Sequence, residues 1–148
     1  MQEKNECFAQ KSNHGGAFGL GKPNTAYAKF FIGNSYLNPL TDPKKTVFMA
    51  NVTFEPACRN NRHIHHAEKG GGQILICVDG NGWYQEEGQK PRKLSPGDVV
   101  TIPANVKHWH GATKNSWFSH IAVECPGENT KTEWCEPVSD EEYDLLEQ

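Results

Sequence analysis

The sequence predicts an all-β fold, a single sandwich or barrel assembled from many short strands. Three observations carry that expectation. Short runs of alternating or continuous apolar residues recur along the chain. Gly, Pro, Asn and Asp turn signals separate them at roughly 8–12-residue spacing, as in sandwiches and barrels. Only one stretch, near the C-terminus, has helical character. At 148 residues the chain has the length of one domain, enough for a core burying roughly 70% of the surface that the unfolded chain exposes.

Charge and composition exclude several function classes. The net charge of -3 comes from interspersed acids and bases, which leaves neither a basic stripe for nucleic acid nor a polybasic segment for a membrane surface. No run reaches the roughly 20 apolar residues of a membrane-spanning helix, and the first residues lack the apolar core of a signal peptide. A cytoplasmic protein is expected. The five cysteines, at 7, 58, 77, 125 and 135, are odd in number and irregular in spacing, so reduced thiols are expected rather than a disulfide framework. Cys77, inside an apolar run, reads as core.

Taken in order, residues 1–24 carry the glycine-rich stretch His14-Gly15-Gly16-Ala17-Phe18-Gly19-Leu20-Gly21, too flexible to hold a regular element without support. They form an N-terminal arm, with His14 as a solvated loop residue, and residues 25–148 form the domain. Ala26 to Tyr36 reads as one strand or two short ones. Val47 to Phe54 is a clearer strand, with Phe48, Ala50, Val52 and Phe54 on one face. Glu55-Pro56 ends it, because proline cannot donate to a ladder.

Gln73 to Val78 is apolar on both faces, which requires a second layer or a partner chain. Asp79-Gly80-Asn81-Gly82 signals a hairpin, with the return strand starting at Gly82-Trp83-Tyr84-Gln85. Val99 to Ile102 is a short strand stopped by Pro103. Trp117 to Glu124 alternates, with Phe118, His120, Ala122 and Glu124 on one face; the polar members of that set point to a pocket. Ser139-Asp140-Glu141-Glu142 is a capping box that opens a short C-terminal helix. The outer-face residues Ile74, Ile76, Val78, Ile121, Val123 and Trp117 form an apolar surface that predicts a homodimer.

Six of the seven histidines fall between Arg62 and His120. Side chains two apart on a strand share a face, so His63 converges with His65, and His108 with His110. Two such pairs can clamp one ion, and imidazole suits zinc, copper, iron, nickel and manganese-type sites. His66, adjacent to His65, faces the other way and reads as a surface or interface residue.

These residues resemble the two motifs of the cupin superfamily. The first reads Gly, five residues, His-x-His, three or four residues, Glu, six residues, Gly. Here Ala57 stands at the first glycine, His63 and His65 are the His-x-His, Gln73 takes the glutamate position, and Gly80 closes the motif. The run His66 to Gly72 lengthens the gap before Gln73. The second motif, Gly, five residues, Pro-x-Gly, two residues, His, matches Gly97, Pro103 and His108, with Asn105 in place of glycine. Gly72-Gln73, Gly82-Trp83-Tyr84-Gln85, Pro96 to Val100, Lys107 to Ala112 and His120-Ile121-Ala122 are similar to the small bacterial cupins that include manganese-dependent hydroxynitrile lyases, and related proteins are labelled carboxymuconolactone-decarboxylase-like. The likeness covers roughly residues 47 to 143.

The resemblance implies a single cupin jelly-roll barrel with the arm and the short helix appended. It implies a divalent transition metal, manganese first and iron, nickel or zinc as alternatives, held by His63, His65, Gln73 and His108. Four neutral ligands leave the ion its full charge as a Lewis acid and keep positions open for a small-molecule substrate. His120 and His110 then lie beside the metal as proton-transfer residues. Phe48, Ala50, Val52 and Phe118 form the apolar wall of the substrate pocket. Glu68 and Glu124 are alternative ligands, Glu68 ranking below Gln73. The expected function is that of a lyase, isomerase or decarboxylase; a non-catalytic sensing or binding cupin and an iron-dependent dioxygenase are the alternatives.

Overall fold

The computed structural model describes residues 13–147; Cys7 and the first half of the predicted arm lie outside them. The first strands are β1 (Lys22–Pro23), β2 (Phe31–Ile32), β3 (Ser35–Pro39), β4 (Met49–Phe54) and β5 (Arg59–Asn60). The middle of the chain gives β6 (His63–His66), β7 (Lys69–Gly70), β8 (Gln73–Gly80), β9 (Gly82–Glu86) and β10 (Arg92–Leu94). It ends with β11 (Val99–Ile102), β12 (His108–Ala112), β13 (Phe118–Glu124), β14 (Gly127–Glu128), β15 (Lys131–Trp134) and the helix α1 (Asp140–Leu146). The Ala26 to Tyr36 stretch divides into a 3-10 turn at Ala28–Phe30, β2 and the start of β3.

Two antiparallel sheets face each other. One runs β1-β3-β4-β13-β8-β11; the other runs β10-β9-β12-β5-β2, with β6 pairing both β12 and β15. The alternation in β4, β8 and β13 turns one apolar set inward, and Phe54, Leu75, Leu94, Ile102, Ala112 and Phe118 form a dry core between the sheets. Cys58 and Cys77 belong to that core and are free; burial pushes their thiols up to about 12 and about 11.

The expected hairpin at Asp79 to Gly82 is not formed. β8 lies in one sheet and β9 in the other, so the turn is a crossover between sheets. A two-residue hairpin of that type needs left-handed backbone at both central residues, whereas Gly80 has φ 69 and Asn81 is not left-handed. The loop from Thr113 to Trp117 captures the turn instead: Asn81 N–H donates to the Trp117 carbonyl and Thr113 N–H to the Asn81 carbonyl.

The departures from the motif glycines have a backbone meaning. Ala57 and Asn105 both adopt left-handed φ, 69 and 68. Asn105 tolerates this conformation and uses its amide twice, Nδ2 donating to the Ala67 carbonyl and Oδ1 accepting from the Ala67 amide, each at 3.0 Å. It thereby anchors the lengthened loop, whose Gly70, Gly71 and Gly72 all have positive φ. Ala57 makes no such return. Its left-handed strain of roughly 1–2 kcal/mol outweighs the extra chain entropy of glycine, roughly 0.5–1 kcal/mol. Ala57→Gly is expected to stabilise the protein by about 0.5–1 kcal/mol and raise Tm by about 1–4 °C. A lower Tm in a thermal melt would show that the strain is absent.

Two appended segments complete the outer surfaces. Residues 14 to 21 lie on the outer face of the first sheet: His14 stacks on Trp117 at 4.0 Å between ring centroids, and Asn51 Nδ2 donates to the Gly15 and Gly19 carbonyls. His14 is therefore half-buried rather than solvated. On the second sheet, Ser139 caps α1 by accepting from Glu142 N–H. The helix seats Tyr143 beside Trp109 and Val138, with the Tyr143 hydroxyl donating to the Ala112 carbonyl at 2.7 Å. Arg59 bridges the two, its guanidinium 4.4 Å over the Tyr143 ring and bonded to the Val138 carbonyl.

Candidate metal centre

Pairing of β12 with β6 places His108 directly opposite His63, their ring centroids 4.2 Å apart. His65, two residues along β6, has its centroid 5.1 Å from His63 and 5.3 Å from His108. His110 follows His108 on the same face, 5.6 Å from His63, and its ring meets His120 of β13 edge-on at 4.8 Å. Five of the six clustered histidines thus converge between the sheets. The sixth, His66, points outward to Glu133.

Hydrogen bonding fixes the ring chemistry. His63 Nδ1 donates to the Asn61 carbonyl at 2.8 Å and His108 Nδ1 to the Val106 carbonyl at 2.9 Å. A carbonyl can only accept, so both rings keep the Nε2 lone pair free. His65 Nδ1 lies 3.3 Å from Thr132 Oγ1. Nε2 of His65 and Nε2 of His108 are buried with no hydrogen-bond partner, an arrangement that costs free energy unless something else uses the lone pairs.

His110 differs. The Asn60 side chain accepts the His110 backbone N–H through Oδ1 at 2.9 Å, which turns Nδ2 toward the imidazole, 3.1 Å from Nε2. Asn60 thus donates to the His110 ring and occupies a lone pair there.

Burial holds all these imidazoles neutral. It takes His63 and His110 well below the usual histidine value, with neighbouring rings adding to the shift, and takes His108 and His120 to about 4. For His65 burial also lowers the value, with the Gln73 amide opposing. A neutral ring is the form that ligates a metal. His63, His108 and His110 each bring a ligand nitrogen within 4.8 Å of the others, so this three-histidine group could hold a divalent ion. The buried, unpartnered Nε2 of His108 in that group fits an ion; His65 Nε2, also unpartnered, lies beside the group, and His110 would have to give up its contact with Asn60 to ligate.

All of these histidines except His108, which lies behind them and lines the groove of Arg62 and Lys107, open on a cavity of about 220 Å³. His63, His65, Gln73, His110 and His120 line its polar side, and Phe48, Ala50 and Val52 line its apolar wall. Phe118 lies elsewhere: it is fully buried in the core, its ring 5.6 Å from that of His120, and does not reach the lining. Glu124 lines the cavity and is exposed. Glu68 is exposed and bonded to Asn129. The sequence reading missed Tyr27, Phe31, Asn60, Thr132 and Trp134. Trp134 is held between Phe30, stacked at 4.5 Å, and His63 at 4.7 Å. Its signal was slight, an aromatic residue in the polar run Thr132-Glu133-Trp134, and Asn60 sits in a stretch without periodicity.

A cupin-domain family model matches residues 50–123, the span from β4 through β13 that carries every histidine of the cluster. The chain is also 39% identical over 119 residues to (R)-mandelonitrile lyase of Granulicella tundricola, covering 78% of this chain and 87% of that enzyme. The chain belongs to the cupin family. Among solved structures, this cupin is similar to a cupin-like protein from Thermotoga maritima, with a TM-score of 0.75 and 36% identity over 87% of this chain and 95% of that one. A predicted oxalate decarboxylase from the same organism shares the fold, with a TM-score of 0.60 and 18% identity over 70% and 90% of the two chains. Among the described residues of this cupin, no helix is long and apolar enough to cross a membrane.

Proposed function

We propose that this cupin is a metal-dependent lyase acting on a small neutral hydroxy compound, with α-hydroxynitriles as the class to test first. One observation carries the reading. His120 is fully buried, neither of its ring nitrogens makes a hydrogen bond of normal geometry, and it faces the same cavity as the histidine cluster. A buried imidazole with no protein partner that faces a cavity is poorly placed as a structural element and well placed to exchange a proton with a bound molecule.

The ion would be held by His63, His65 and His108 through Nε2 together with the Gln73 amide oxygen; this donor set accepts several divalent transition metals, of which manganese is the first to test. When bound, it supplies a Lewis acid for a hydroxyl or carbonyl oxygen. The chain's own residues do the rest. Neutral His120 accepts the hydroxyl proton at a ring nitrogen. As the C–C bond breaks, its electron pair leaves with the cyano carbon, the hydroxyl-bearing carbon becomes an aldehyde, and His120 returns the proton to give hydrogen cyanide. His110, its ring beside His120 and pinned by Asn60, holds that imidazole in place. Trp134, Phe31 and Tyr27 provide flat apolar surface for an aromatic substituent. The identity to a mandelonitrile lyase supports the substrate class.

Protein purified without a histidine tag and loaded with manganese should release benzaldehyde from (R)-mandelonitrile, followed by absorbance. Elemental analysis of the protein as isolated should find bound metal; less than about a tenth of an equivalent would favour the binding or sensing role instead.

A further inference from the structure

Of the polar groups around the cavity, the reaction just described uses the histidines and Gln73. Asn60 is bonded to the His110 ring, Thr132 lies beside His65 Nδ1, and Glu124 is exposed. Asn24 is left without a role. It lines the cavity, is only 7% exposed, and carries a side-chain Oδ1 that is buried with no hydrogen-bond partner. The rest of the residue is fastened: its backbone N–H donates to the Ser35 carbonyl at 2.9 Å, and Nδ2 donates to Ser35 Oγ at 3.2 Å. Asn24 stands between this cavity and a neighbouring one, and Ser35 lines the neighbour alone. The two ends of an amide diverge, so with Nδ2 turned toward Ser35 the acceptor oxygen is turned back toward the histidines. Asn24 directly follows β1, three strands from His120 in the order β1-β3-β4-β13, and Leu37 and Val52 form the apolar wall between them.

We infer that Asn24 is a specificity-determining residue whose Oδ1 accepts a hydrogen bond from the end of the substrate remote from His120, so that the substrate class is aromatic α-hydroxynitriles carrying a hydroxyl or amino donor on the ring. The inference rests on the reading of the cavity as a lyase site and adds to it the chemistry of the ring substituent. Leaving a buried amide oxygen unpaired costs free energy, and a ligand donor that reaches it recovers that cost. The surroundings sharpen the discrimination. Phe31, Leu37, Ala50 and Val52 offer no side-chain acceptor along that wall, and an apolar wall alone favours a methyl group over a hydroxyl. A preference for the hydroxyl therefore needs Asn24. A site built to hydrogen-bond a substrate hydroxyl rejects the analogue that lacks it, because the protein acceptor is then left unpaired.

The test compares 4-hydroxybenzyl alcohol with 4-methylbenzyl alcohol, and 3-hydroxybenzyl alcohol with 3-methylbenzyl alcohol. Each pair keeps the reacting hydroxyl, has nearly one shape and is uncharged near neutral pH, so the divalent ion acts alike on both members. Binding to the manganese-loaded protein is measured by calorimetry. In at least one pair the phenol should bind about tenfold more tightly. Asn24→Leu and the smaller Asn24→Ala should each lose that preference or reverse it, and a thermal melt shows which variants are folded. Methyl compounds that bind as well as the phenols in both wild-type pairs, a preference unmoved in whichever variant folds, or no binding of any of the four compounds would overturn the inference. A phenol preference that depends on Asn24, without mandelonitrile turnover, would leave it standing and remove the lyase chemistry; turnover without the preference would do the reverse.

Discussion

His120→Leu should lose two to four orders of magnitude in kcat while binding as much metal as the wild type and unfolding at a higher temperature. Each part has a separate cause. Proton transfer by a positioned side chain contributes about 10²–10⁴-fold, and leucine cannot carry a proton. The proposed metal donors are on β6, β8 and β12, whereas His120 is on β13, so metal content stays. The gain in stability follows from the unpaired ring. Two buried nitrogens lacking normal hydrogen bonds sit against Phe54 and Phe118, each ring 5.6 Å away, and an unsatisfied buried polar group costs roughly 1–3 kcal/mol. An apolar side chain of similar volume removes that cost. A histidine kept for packing would give the opposite result, destabilisation with turnover retained. Turnover on (R)-mandelonitrile, elemental analysis and a thermal melt of the same preparation separate the two. Unchanged turnover with a lower Tm would take His120 out of the mechanism.

The same contrast between local signal and three-dimensional demand explains what could be read from the sequence. Strand identity was legible wherever one face is buried: β4, β11 and β13 appear within two residues of their alternating runs because period two is a direct record of burial. The histidine pairs were legible for the same reason, and the motif resemblance singled out Gln73, but its place opposite Glu124 on the neighbouring strand appears only in the fold. What failed was whatever depends on a partner distant in sequence. Asp79 to Gly82 carries hairpin chemistry, but strand choice is set by which sheet completes the core, and β13 outcompetes β9 as the neighbour of β8. Phe118 shares a face with His120 by alternation, yet it packs behind the cavity because β13 runs from the core to the rim. Trp134 and Asn60 sit on short edge segments whose role appears only after β15 joins β6 and β5 joins β12. The outer face read as bare is partly covered by residues 14 to 21, whose backbone carbonyls supply Asn51 with acceptors that no side-chain pattern could reveal.

Acid should unfold the metal-free protein well above the pH at which its carboxylates titrate. Burial takes His108 and His120 to about 4, and His63 and His110 shift in the same direction, while the unfolded chain holds histidine near 6.5. Between those values the unfolded state binds more protons than the folded state, so stability rises with pH and is lost as pH falls from about 6.5 toward 4. A ring shifted to about 4 forfeits about 3 kcal/mol by pH 4. Two such rings account for about 6 kcal/mol, and His63 and His110 add to the loss. That total rivals the roughly 5–15 kcal/mol of a typical domain. Glu136 and Glu142, whose partners Lys107 and Arg62 lower them, lose their contribution in a lower window. Chelator-treated protein should therefore show a denaturant midpoint that falls steeply between pH 6.5 and 5. Manganese, which binds only neutral rings, should move the acid transition to lower pH. His120→Leu supplies the internal control: with one titrating ring removed, the dependence near pH 5 should flatten by about 1.3 kcal/mol per pH unit. A midpoint that stays level from pH 7 to 5 would mean that the imidazoles are solvated, and the buried, neutral ligand cluster would have to be abandoned.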